Sequence, residues 1–429
     1  MKNSGIEWIG EIPSHWDVIP NKYVMSKTKE ICLNHTDEDI ISLTKNGVII
    51  RDLNAGGKMP ATFDGYQKVY SGNLLMCLFD IDVTPRCIGI IKNDGLTSPA
   101  YSQFVLNNDN DISYYYYYYL MLDEDKTLLH LSKNLRHSLT EDQLGSIKII
   151  KPPLKEQILI SNFLDKTLND IDDVINKSIK LIEKYNEYKH SLITEVITKG
   201  LNNNVILTDS GINWIGEIPK HWEVKKLNYA SSDENHSFID GPFGSDLKNE
   251  EYVDEGVPII QLNNIKAGTH DFTNEHFITE EKYIQLKKHS VKPGDIVIAK
   301  MAPVARATIV SDKYDKYIIS TDCIKLNCNS NFLNKYVTYS LNSYMYHDAV
   351  QKANGITRLR INLSSLKKTK VLMPPLDEQY EIVKYLDEKC ARIDSLITKR
   401  EQLIDKLKEY KKSLIFEYVT GKKEVPNEI

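Results

Sequence analysis

The chain of 429 residues contains two copies of the same pair of segments, and this duplication constrains the fold more than any other feature. Residues 4–18 and 210–224 are identical at 12 of 15 positions. A Pro-Pro-Leu-x-Glu-Gln motif at residues 152–157 returns at residues 374–379. The copies lie 206 and 222 residues apart, so each half keeps its ends while its middle varies by 16 residues. The pattern predicts two similar frames that hold two different central regions.

The overall composition is that of an ordinary globular protein, with 41% hydrophobic and 26% charged residues. The longest apolar runs are far too short to span a bilayer, and the first residues lead into the first repeat without a signal-peptide pattern. The six cysteines form no C-x-x-C pair and no zinc-ligand spacing, which predicts free thiols in a reducing compartment. These features predict a cytoplasmic protein that does not contact a membrane.

The formal net charge of −5 does not indicate a generally basic surface for nucleic acid. A phosphate-binding face would therefore be a local patch, or partner subunits would supply much of the positive charge. The strongest local patch lies between Lys352 and Lys370, where six basic residues occur without an acidic one. The alternative interpretation is that this run is only a solvated face.

Each Pro-Pro-Leu motif is followed by apolar residues at alternating spacings of four and three, which is typical of a coiled-coil helix. Proline is tolerated in a first helical turn, so each helix is expected to begin at its motif. A polar residue interrupts the apolar seam at the same two places in both copies, Ser178 and Lys189 in the first and Arg400 and Lys411 in the second. The predicted seam consists of Leu164, Leu168, Ile171, Ile175, Ile182, Leu192, Leu386, Ile393, Ile397, Ile404, Leu407 and Leu414.

Two helices that share a length and their polar breaks are expected to pack on each other. Pseudo-twofold symmetry between the halves makes them antiparallel, and each helix of roughly 45 residues is about 65 Å long. Such a rod holds one variable domain at each end and fixes the distance between them. The alternative is that each seam packs only on its own half.

The variable regions each predict a mixture of helices and strands. The predicted fold class is α+β, with two mixed α/β domains in pseudo-twofold tandem separated by two long antiparallel coiled-coil helices. The predicted boundaries are 1–151 and 201–373 for the two domains, and 152–200 and 374–429 for the two helices. A run of six tyrosines at residues 114–119 and the four tryptophans, which all lie in the duplicated segments, are interpreted mainly as packing residues.

No pattern for covalent chemistry is present in the sequence. It contains no Gly-rich phosphate loop, no Asn/Asp-Pro-Pro-Tyr/Phe motif of an aminomethyltransferase and no paired histidine ligand set. His15 and His221 belong to the repeated frame and are interpreted as structural. The chain is therefore predicted to bind rather than to catalyse, with no catalytic and no metal-ligating residues.

The duplicated motifs resemble the specificity subunits of type I restriction–modification enzymes. The resemblance is carried by the paired Gly-Ile-x-Trp-Ile-Gly-Glu-Ile-Pro-x-His-Trp segments and the paired Pro-Pro-Leu-x-Glu-Gln helices. Residues 239–247, 291–300 and 355–361 of the second half add to it. The first half departs from the pattern, because Gly-Pro-Phe-Gly-Ser is absent and Asn134-Leu-Arg-His-Ser138 replaces the arginine-rich stretch.

This resemblance implies two target-recognition domains, each reading one part of a bipartite double-stranded DNA sequence. It implies two modification (methyltransferase) subunits as partners, which bring S-adenosylmethionine and methylate adenine. It also implies restriction subunits that add ATP-driven translocation and cleavage with Mg²⁺. The chain itself then carries no cofactor and acts as the non-catalytic specificity subunit.

Candidate contact residues have side chains suited to base edges and phosphates, or form a tight loop that approaches the DNA backbone. In the first domain they are Thr44, Lys45, Arg51, Lys58, Arg86, Arg136 and His137. In the second domain they are Gly241, Pro242, Phe243, Gly244, Ser245, Lys248, Asn263, Asn264, Lys300, Arg306, Arg358 and Arg360.

Three other functions remain open from the sequence. The first is an autonomous double-headed DNA-binding protein without enzyme partners. The second is a self-sufficient methyltransferase or nuclease, and the third is a coiled-coil scaffold that never touches DNA. The mild acidity counts against the first, the missing catalytic motifs against the second, and the divergent middles against the third.

Overall fold

The computed structural model describes residues 1–54, 60, 62–131, 137–355 and 358–426. The chain forms two compact units. Unit 1 comprises Met1–Ile179 and Arg400–Ile429, and unit 2 comprises Lys180–Lys399. Within the described ranges, no helix combines the length and the apolar composition needed to cross a membrane.

Unit 1 contains thirteen short strands in its described part. They are β1 (Lys2–Asn3), β2 (Glu11–Ile12), β3 (Asp17–Pro20), β4 (Met25–Thr28), β5 (Glu30–Ile31), β6 (Ile41–Thr44), β7 (Gly47–Ile50), β8 (Gln67–Val69), β9 (Leu74–Met76), β10 (Ile88–Ile90), β11 (Gly95–Thr97), β12 (Ser102–Leu106) and β13 (Lys148–Lys151). Its short helices are α1 (Ile112–Glu124), α2 (Thr127–Leu131) and α3 (Glu141–Ser146). A four-stranded sheet has the order β10-β9-β12-β4, a second sheet the order β11-β8-β5, and β13 pairs with β3.

Two long helices each contribute one part to both units. They are α4 (Leu154–Lys199) and, towards the end of the chain, α9 (Leu376–Val419), and each begins at the leucine after its Pro-Pro pair.

Unit 2 contains fourteen strands in the part that the structure describes. They are β14 (Leu207–Asp209), β15 (Glu217–Pro219), β16 (Glu223–Lys226), β17 (Phe238–Asp240), β18 (Val257–Ile260), β19 (Ile265–Lys266), β20 (Thr269–His270), β21 (His276–Ile278), β22 (Ser290–Val291), β23 (Ile296–Ala299), β24 (Ala307–Ile309), β25 (Tyr317–Ile319), β26 (Cys323–Leu326) and β27 (Lys370–Met373). Its short helices are α5 (Glu280–Gln285), α6 (Asn334–Leu341), α7 (Met345–Gln351) and α8 (Leu363–Lys367).

The four-stranded sheets that contain β9 and β23 have the same strand order in the two units, whereas the second sheets differ. The order β24-β23-β26-β17 in unit 2 repeats the order β10-β9-β12-β4 of unit 1 strand for strand. The second sheet of unit 2 has four strands in the order β21-β18-β25-β22, with β18 and β25 parallel, whereas that of unit 1 has three. The predicted mixture of helices and strands in two tandem domains is confirmed.

Within each unit, the parts of α4 and α9 pack on each other. In unit 1 the Phe163 and Tyr418 rings lie 4.5 Å apart and Lys411 forms an ion pair with Asp172. Residues later in α4 therefore contact residues earlier in α9, so the two helices are antiparallel, as the sequence predicts. In unit 2 Lys189 Nζ lies 2.7 Å from both carboxylate oxygens of Asp394.

The polar break at Lys189 and Lys411 is explained by these ion pairs. The two pairs are related by the same 222-residue offset as the two Pro-Pro-Leu motifs, so each lysine meets the aspartate of the other helix. Nine of the predicted seam residues are buried: Leu164, Leu168, Ile171, Ile175, Leu192, Leu386, Ile393, Ile404 and Leu414. The other three, Ile182, Ile397 and Leu407, are half-buried.

The tyrosine run lies on α1 and forms part of the core of unit 1. Tyr114, Tyr115, Tyr117, Tyr118 and Tyr119 are all buried. Of the tryptophans, Trp16 and Trp222 are also buried. These buried positions agree with the interpretation of the residues as packing residues, whereas Trp214 is 38% exposed and does not fit it.

Candidate nucleic-acid interface

A carboxylate at the start of each long helix holds the duplicated N-terminal segment of the same unit. In unit 1 the Trp16 indole N–H donates to Glu156 Oε2 at 2.8 Å, and His15 Nε2 lies 2.8 Å from Glu156 Oε1. The glutamate belongs to the Pro-Pro-Leu-x-Glu-Gln motif, so the two duplicated segments of the half meet at one side chain.

Unit 2 repeats this arrangement atom for atom. Trp222 Nε1 donates to Glu378 Oε2 at 2.9 Å, and His221 Nε2 lies 2.6 Å from Glu378 Oε1. The prediction of a structural histidine in each frame agrees with these contacts. The sequence repeat thus encodes a clamp that fixes the variable domain of each unit to the helix that follows it.

The neighbouring glutamine ties the variable domain to the same helix. In unit 1 Gln157 Oε1 accepts from the Asp111 N–H at 2.8 Å, one residue before α1, and its amide donates to Pro152 O at 2.7 Å. In unit 2 Gln379 Oε1 accepts from the Leu333 N–H at 2.9 Å, one residue before α6. Both frames therefore present their variable sheets in the same way.

Three segments that carry candidate contact residues converge in unit 2 around Lys300. The Lys300 N–H donates to Asp322 O and its carbonyl accepts from the Ile361 N–H, both at 2.9 Å. Its ammonium group lies 2.7 Å from Asp240 Oδ1 and donates to Thr321 O at 2.8 Å. Residues 240, 300, 321–322 and 361, which are far apart in the sequence, thus form one edge of the variable domain.

The Gly-Pro-Phe-Gly-Ser loop projects from this edge on a fixed base. The Gly241 N–H donates to Cys323 O at 2.9 Å, and a Cβ at Gly241 would lie only 1.9 Å from Ser320 O. Pro242 is buried, whereas the Phe243 side chain after it is 78% exposed. The loop re-enters the core at Leu247, which is 6% exposed. The loop therefore presents an aromatic ring and the small polar residues after it to solvent.

The two arginines of the 355–361 segment lie next to this loop's base. Arg360 Nη2 lies 2.8 Å from Asp322 Oδ1, and its side chain is 46% exposed. The Arg360 backbone exchanges both hydrogen bonds with Asn354 and bridges to Met301. Arg358 is exposed. One arginine is thus oriented by a carboxylate, and the other is presented to solvent.

The loop between β23 and β24 completes the edge. Ala302 and Ala305 adopt positive φ angles of 57° and 60°, a conformation that is unfavourable for alanine and that the surrounding structure must impose. Arg306, which follows them, is half-buried and donates to Leu262 O at 2.9 Å. Burial lowers the pKa of its guanidinium group from the ordinary value.

Unit 1 carries several of its candidate contact residues on a hairpin. Thr44 Oγ1 donates to Gly47 O at 3.0 Å and shapes the turn between β6 and β7, at whose tip Lys45 is exposed. Arg86 donates to the Lys45 carbonyl at 3.4 Å and to the Tyr116 hydroxyl, and its guanidinium carbon lies 5.6 Å from the centre of the Tyr116 ring. The half-buried Arg86 therefore braces the hairpin.

The comparisons with known proteins agree with the duplicated architecture. The sequence profile of the family described as the type I restriction modification DNA specificity domain matches residues 88–184 and 244–407, which is more than half of the chain. The chain belongs to this family.

Individual relatives are distant and match the chain over only part of their length. The specificity subunit of the type I restriction enzyme MjaVIII of Methanocaldococcus jannaschii is 28% identical over 66% of this chain and 63% of its own length. The EcoKI specificity subunit of Escherichia coli K12 is 23% identical over 58% of this chain and 52% of its own length. The matched region thus spans between half and two thirds of the length of these relatives.

Solved structures resemble the whole fold at low sequence identity. A chain from a study of complex assembly and conformational transition in the type I R-M system has a TM-score of 0.72 at 15% identity, covering 96% of this chain and 100% of its own. The HsdS subunit from Thermoanaerobacter tengcongensis has a TM-score of 0.56 at 16% identity, covering 96% of this chain and 98% of its own. This likeness establishes the fold of this family member.

The predicted contact residues of unit 2 fall into three groups by exposure. Phe243, Gly244, Ser245, Lys248, Asn263, Arg358 and Arg360 are exposed, Arg306 is half-buried, and Gly241, Pro242, Asn264 and Lys300 are buried. The Asn264 amide donates to Asp271 O and Thr273 O, so its side chain braces a loop. DNA contact by the buried residues stays a prediction, and the structure gives Gly241, Asn264 and Lys300 internal partners.

The predicted contact residues of unit 1 are only partly within the described ranges. Lys45 and His137 are exposed, and Thr44, Arg51 and Arg86 are half-buried. Lys58 and Arg136 lie outside the described residues. The structure therefore brings Thr44, Lys45 and Arg86 together at the hairpin, and it places the side chain of His137 on the surface.

The long helices carry a second set of repeated residues, which was not predicted from the sequence. Apolar side chains outside the seam are exposed at positions that differ by 222 residues: Leu154 and Leu376, Ile158 and Tyr380, Val174 and Leu396, and Tyr188 and Tyr410. Each unit therefore exposes one complete set, because Tyr188 belongs to unit 2 and Tyr410 to unit 1. Comparing the non-seam apolar positions of the two copies would have found this signal.

Proposed function

We propose that this chain is the sequence-specific DNA-binding subunit of a type I restriction–modification complex, and that each unit reads one part of a bipartite target. The observation that carries the proposal is the duplicated frame, which presents a different variable domain in each copy. Membership in the DNA specificity family supports DNA as the ligand. The names of the relatives, which are specificity subunits of type I restriction enzymes, support the restriction–modification context.

The edge around Lys300 in unit 2 is the proposed reading surface of that unit. Arginine donors match the acceptors of guanine in the major groove, and exposed lysines suit phosphate groups. Arg358 is exposed and Arg360 is oriented by Asp322, so both are available to a duplex. In unit 1 the β6–β7 hairpin with Lys45 at its tip is the proposed equivalent.

Substitution of Arg358 tests this surface directly. Arg358→Ala is expected to weaken binding to the target by about 1–3 kcal/mol and to relax the sequence preference at one position. Lys384→Ala, at an exposed lysine on α9 in unit 2, is the control and should leave the sequence preference intact. Unchanged affinity and target sequence in Arg358→Ala would remove this residue from the reading surface.

The proposed partners are two modification subunits, with restriction subunits added in the complete enzyme. S-adenosylmethionine, ATP and Mg²⁺ belong to those partners in this proposal, and the chain itself is non-catalytic. The repeated exposed apolar set on α4 and α9 supports two equivalent docking surfaces, one for each modification subunit. An exposed apolar side chain that recurs in both copies is more informative than a single one.

Tyrosine substitutions on the two helices test the docking surfaces. Tyr188→Asp and Tyr410→Asp should each lower the number of bound modification subunits from two to one, measured by light scattering of the co-purified complex. Glu187→Ala and Glu409→Ala change the adjacent exposed residues and should leave the stoichiometry unchanged. Two bound subunits in both tyrosine variants would show that docking occurs elsewhere.

The decisive experiment co-expresses the chain with its modification subunit and maps methylated adenines across a host genome. A single split motif with a fixed gap, lost when either variable domain is replaced, is the expected result. A sequence-specific complex formed by the purified chain without any partner, and no new methylation, would instead favour the autonomous double-headed DNA-binding protein.

A further inference from the structure

Unit 2 contains a basic groove beside the proposed reading surface that the assigned contacts do not use. It lies between the β16–β27 ribbon and the short helix α8. The groove has a volume of about 420 Å³ and is lined by Lys226, Asn228, Leu363, Ser364, Lys367 and Lys368. Lys370, at the start of β27, is exposed at the same ribbon.

The charges in this groove are uncompensated. Among the described residues, no carboxylate lies within 4.0 Å of the ammonium groups of Lys226, Lys367, Lys368 or Lys370. The nearby Asp348 is already occupied, because it accepts from the Lys352 ammonium group and from the backbone N–H of Lys370. Lys367 Nζ lies 5.1 Å from the centre of the Phe238 ring, an interaction that orients the charge without neutralising it.

Two of the lysines face each other across the ribbon. Lys226 and Lys370 are paired residues in the antiparallel register of β16 and β27. Like charges directly opposite on neighbouring strands destabilise a sheet. A fold that keeps this pair without an acidic partner holds positive charge where a ligand's negative charge would relieve the repulsion.

Unit 1 provides an internal comparison, because the same frame there carries fewer lysines: it has Lys22 and Lys148, but Gly145 and Ser146 stand at the positions of Lys367 and Lys368. The register pair equivalent to Lys226 and Lys370 is Pro20 and Lys148. The helix equivalent to α8 is α3, whose first residues are Glu141 and Asp142 instead of Leu363 and Ser364. The frame therefore does not require four lysines at this place, and their number distinguishes unit 2 from the described part of unit 1.

The geometry points to a binding site for the phosphodiester backbone of DNA in this groove, which anchors the duplex next to the half-site that unit 2 reads. The inference rests on the proposed function and adds to it a sequence-independent anchor in one unit only. Continuity supports this ligand, because the chain runs from Arg358 and Arg360 through α8 to Lys370 without an acidic residue. Lysines bind phosphates as point charges and carry no base information.

Salt dependence of binding gives the sharpest test, with two double lysine variants that remove the same charge from different surfaces of unit 2. Each phosphate contact contributes a slope of about −0.9 to the plot of log K against log salt concentration. Lys367→Gln with Lys368→Gln should therefore reduce the slope for the full chain on its target duplex by about 1.8. Lys384→Gln with Lys389→Gln removes the same charge from exposed positions on α9 in unit 2 and should change the slope much less.

A second measurement separates ligand binding from a structural role. Lys226→Gln removes the cross-strand repulsion, so the melting temperature of the free protein should rise or stay constant while DNA affinity falls. The methylated motif should stay the same, because a phosphate anchor does not read bases.

The outcomes separate the groove from the proposed function. Equal slopes for the two lysine-pair variants, or a changed target motif with an unchanged slope, would overturn the groove and leave the proposed function standing. A wild-type chain that binds no duplex, alone or with its partners, would overturn both.

Discussion

Units 1 and 2 share a frame to the level of single hydrogen bonds, and they differ in the second sheet and in the side chains at the edges of their variable domains. The tryptophan–glutamate clamp, the glutamine contact and the lysine–aspartate pair between the long helices occur in both units. The tyrosine contact to the following helix is also repeated, since Tyr117 donates to Asp165 and Tyr339 to Asp387. The same set of contacts therefore forms the frame in both units.

The side chains of the variable domains can differ while the backbone contacts that hold these domains stay the same. In unit 2 the edge is built around a buried lysine that pairs with the Asp240 carboxylate. In unit 1 Leu78 occupies the position equivalent to Lys300, and its carbonyl accepts from the Leu139 N–H in the same way. The backbone contact is kept while the charge is removed. A reading surface can thus change its chemistry without disturbing the residues that hold it.

The largest effect on stability is expected at Gly241, in the loop base of unit 2. Gly241→Ala places a Cβ against the Ser320 carbonyl, so the backbone must shift, and we expect a loss of roughly 3 kcal/mol or more in unfolding free energy. Gly244→Ala is the matched control, because no atom lies within 4 Å of its Cβ position. Denaturant unfolding of both variants measures the contrast, and similar stabilities would show that the loop base is not tightly packed.

The next effect tests whether the two clamps are equivalent. Glu156→Ala and Glu378→Ala each remove the acceptor of a tryptophan N–H, and we expect each to lower the unfolding free energy by about 1–2 kcal/mol. Glu156→Gln and Glu378→Gln keep an oxygen for that N–H and should lose less. Thermal unfolding of the four variants measures these losses. A much larger loss of unfolding free energy at one glutamate than at its repeat would show that the two clamps are not equivalent.

The frame was largely predictable from the sequence, because repetition marked its residues. Exact copies at a fixed offset identified the Trp-His and Glu-Gln motifs, and the apolar spacing identified α4 and α9. The polar breaks at Lys189 and Lys411 were found as interruptions, but their meaning required the structure. Only the pairing of the helices places each lysine beside the aspartate of the other helix.

The variable surfaces were less predictable, because charge alone does not reveal exposure. Lys300 and Asn264 have side chains suited to DNA, yet internal hydrogen bonds to loop carbonyls hold both in the core. Lys226 was not selected, since it lies outside the 352–370 run and meets that run only through strand pairing. Residues that converge from distant segments are therefore the ones that a single sequence identifies least well.

A smaller effect tests the paired ion pairs of the long helices. Both pairs are partly exposed, so each is expected to stabilise its unit by only about 0.3–1 kcal/mol. Exchanging the charges with Lys189→Asp and Asp394→Lys should recover most of the stability that either single change loses. A double-mutant cycle in unit 2 and the same cycle on Asp172 and Lys411 should give similar coupling energies, and a large inequality would show that the halves of the coiled coil differ.

The smallest effect concerns a buried histidine that belongs to the variable part of unit 2. His289 is 5% exposed, its Nδ1 lies 2.7 Å from Asp240 O, and burial lowers its pKa, an effect that this hydrogen bond only partly offsets. Because the folded protein binds the proton less readily than the unfolded chain, stability is retained above the unfolded pKa of about 6.5 and falls as the pH drops below it. His289→Gln should therefore reduce the difference in unfolding free energy between about pH 7.5 and about pH 5.5. An unchanged difference would show that other groups in unit 2, such as the half-buried His270, determine its acid sensitivity.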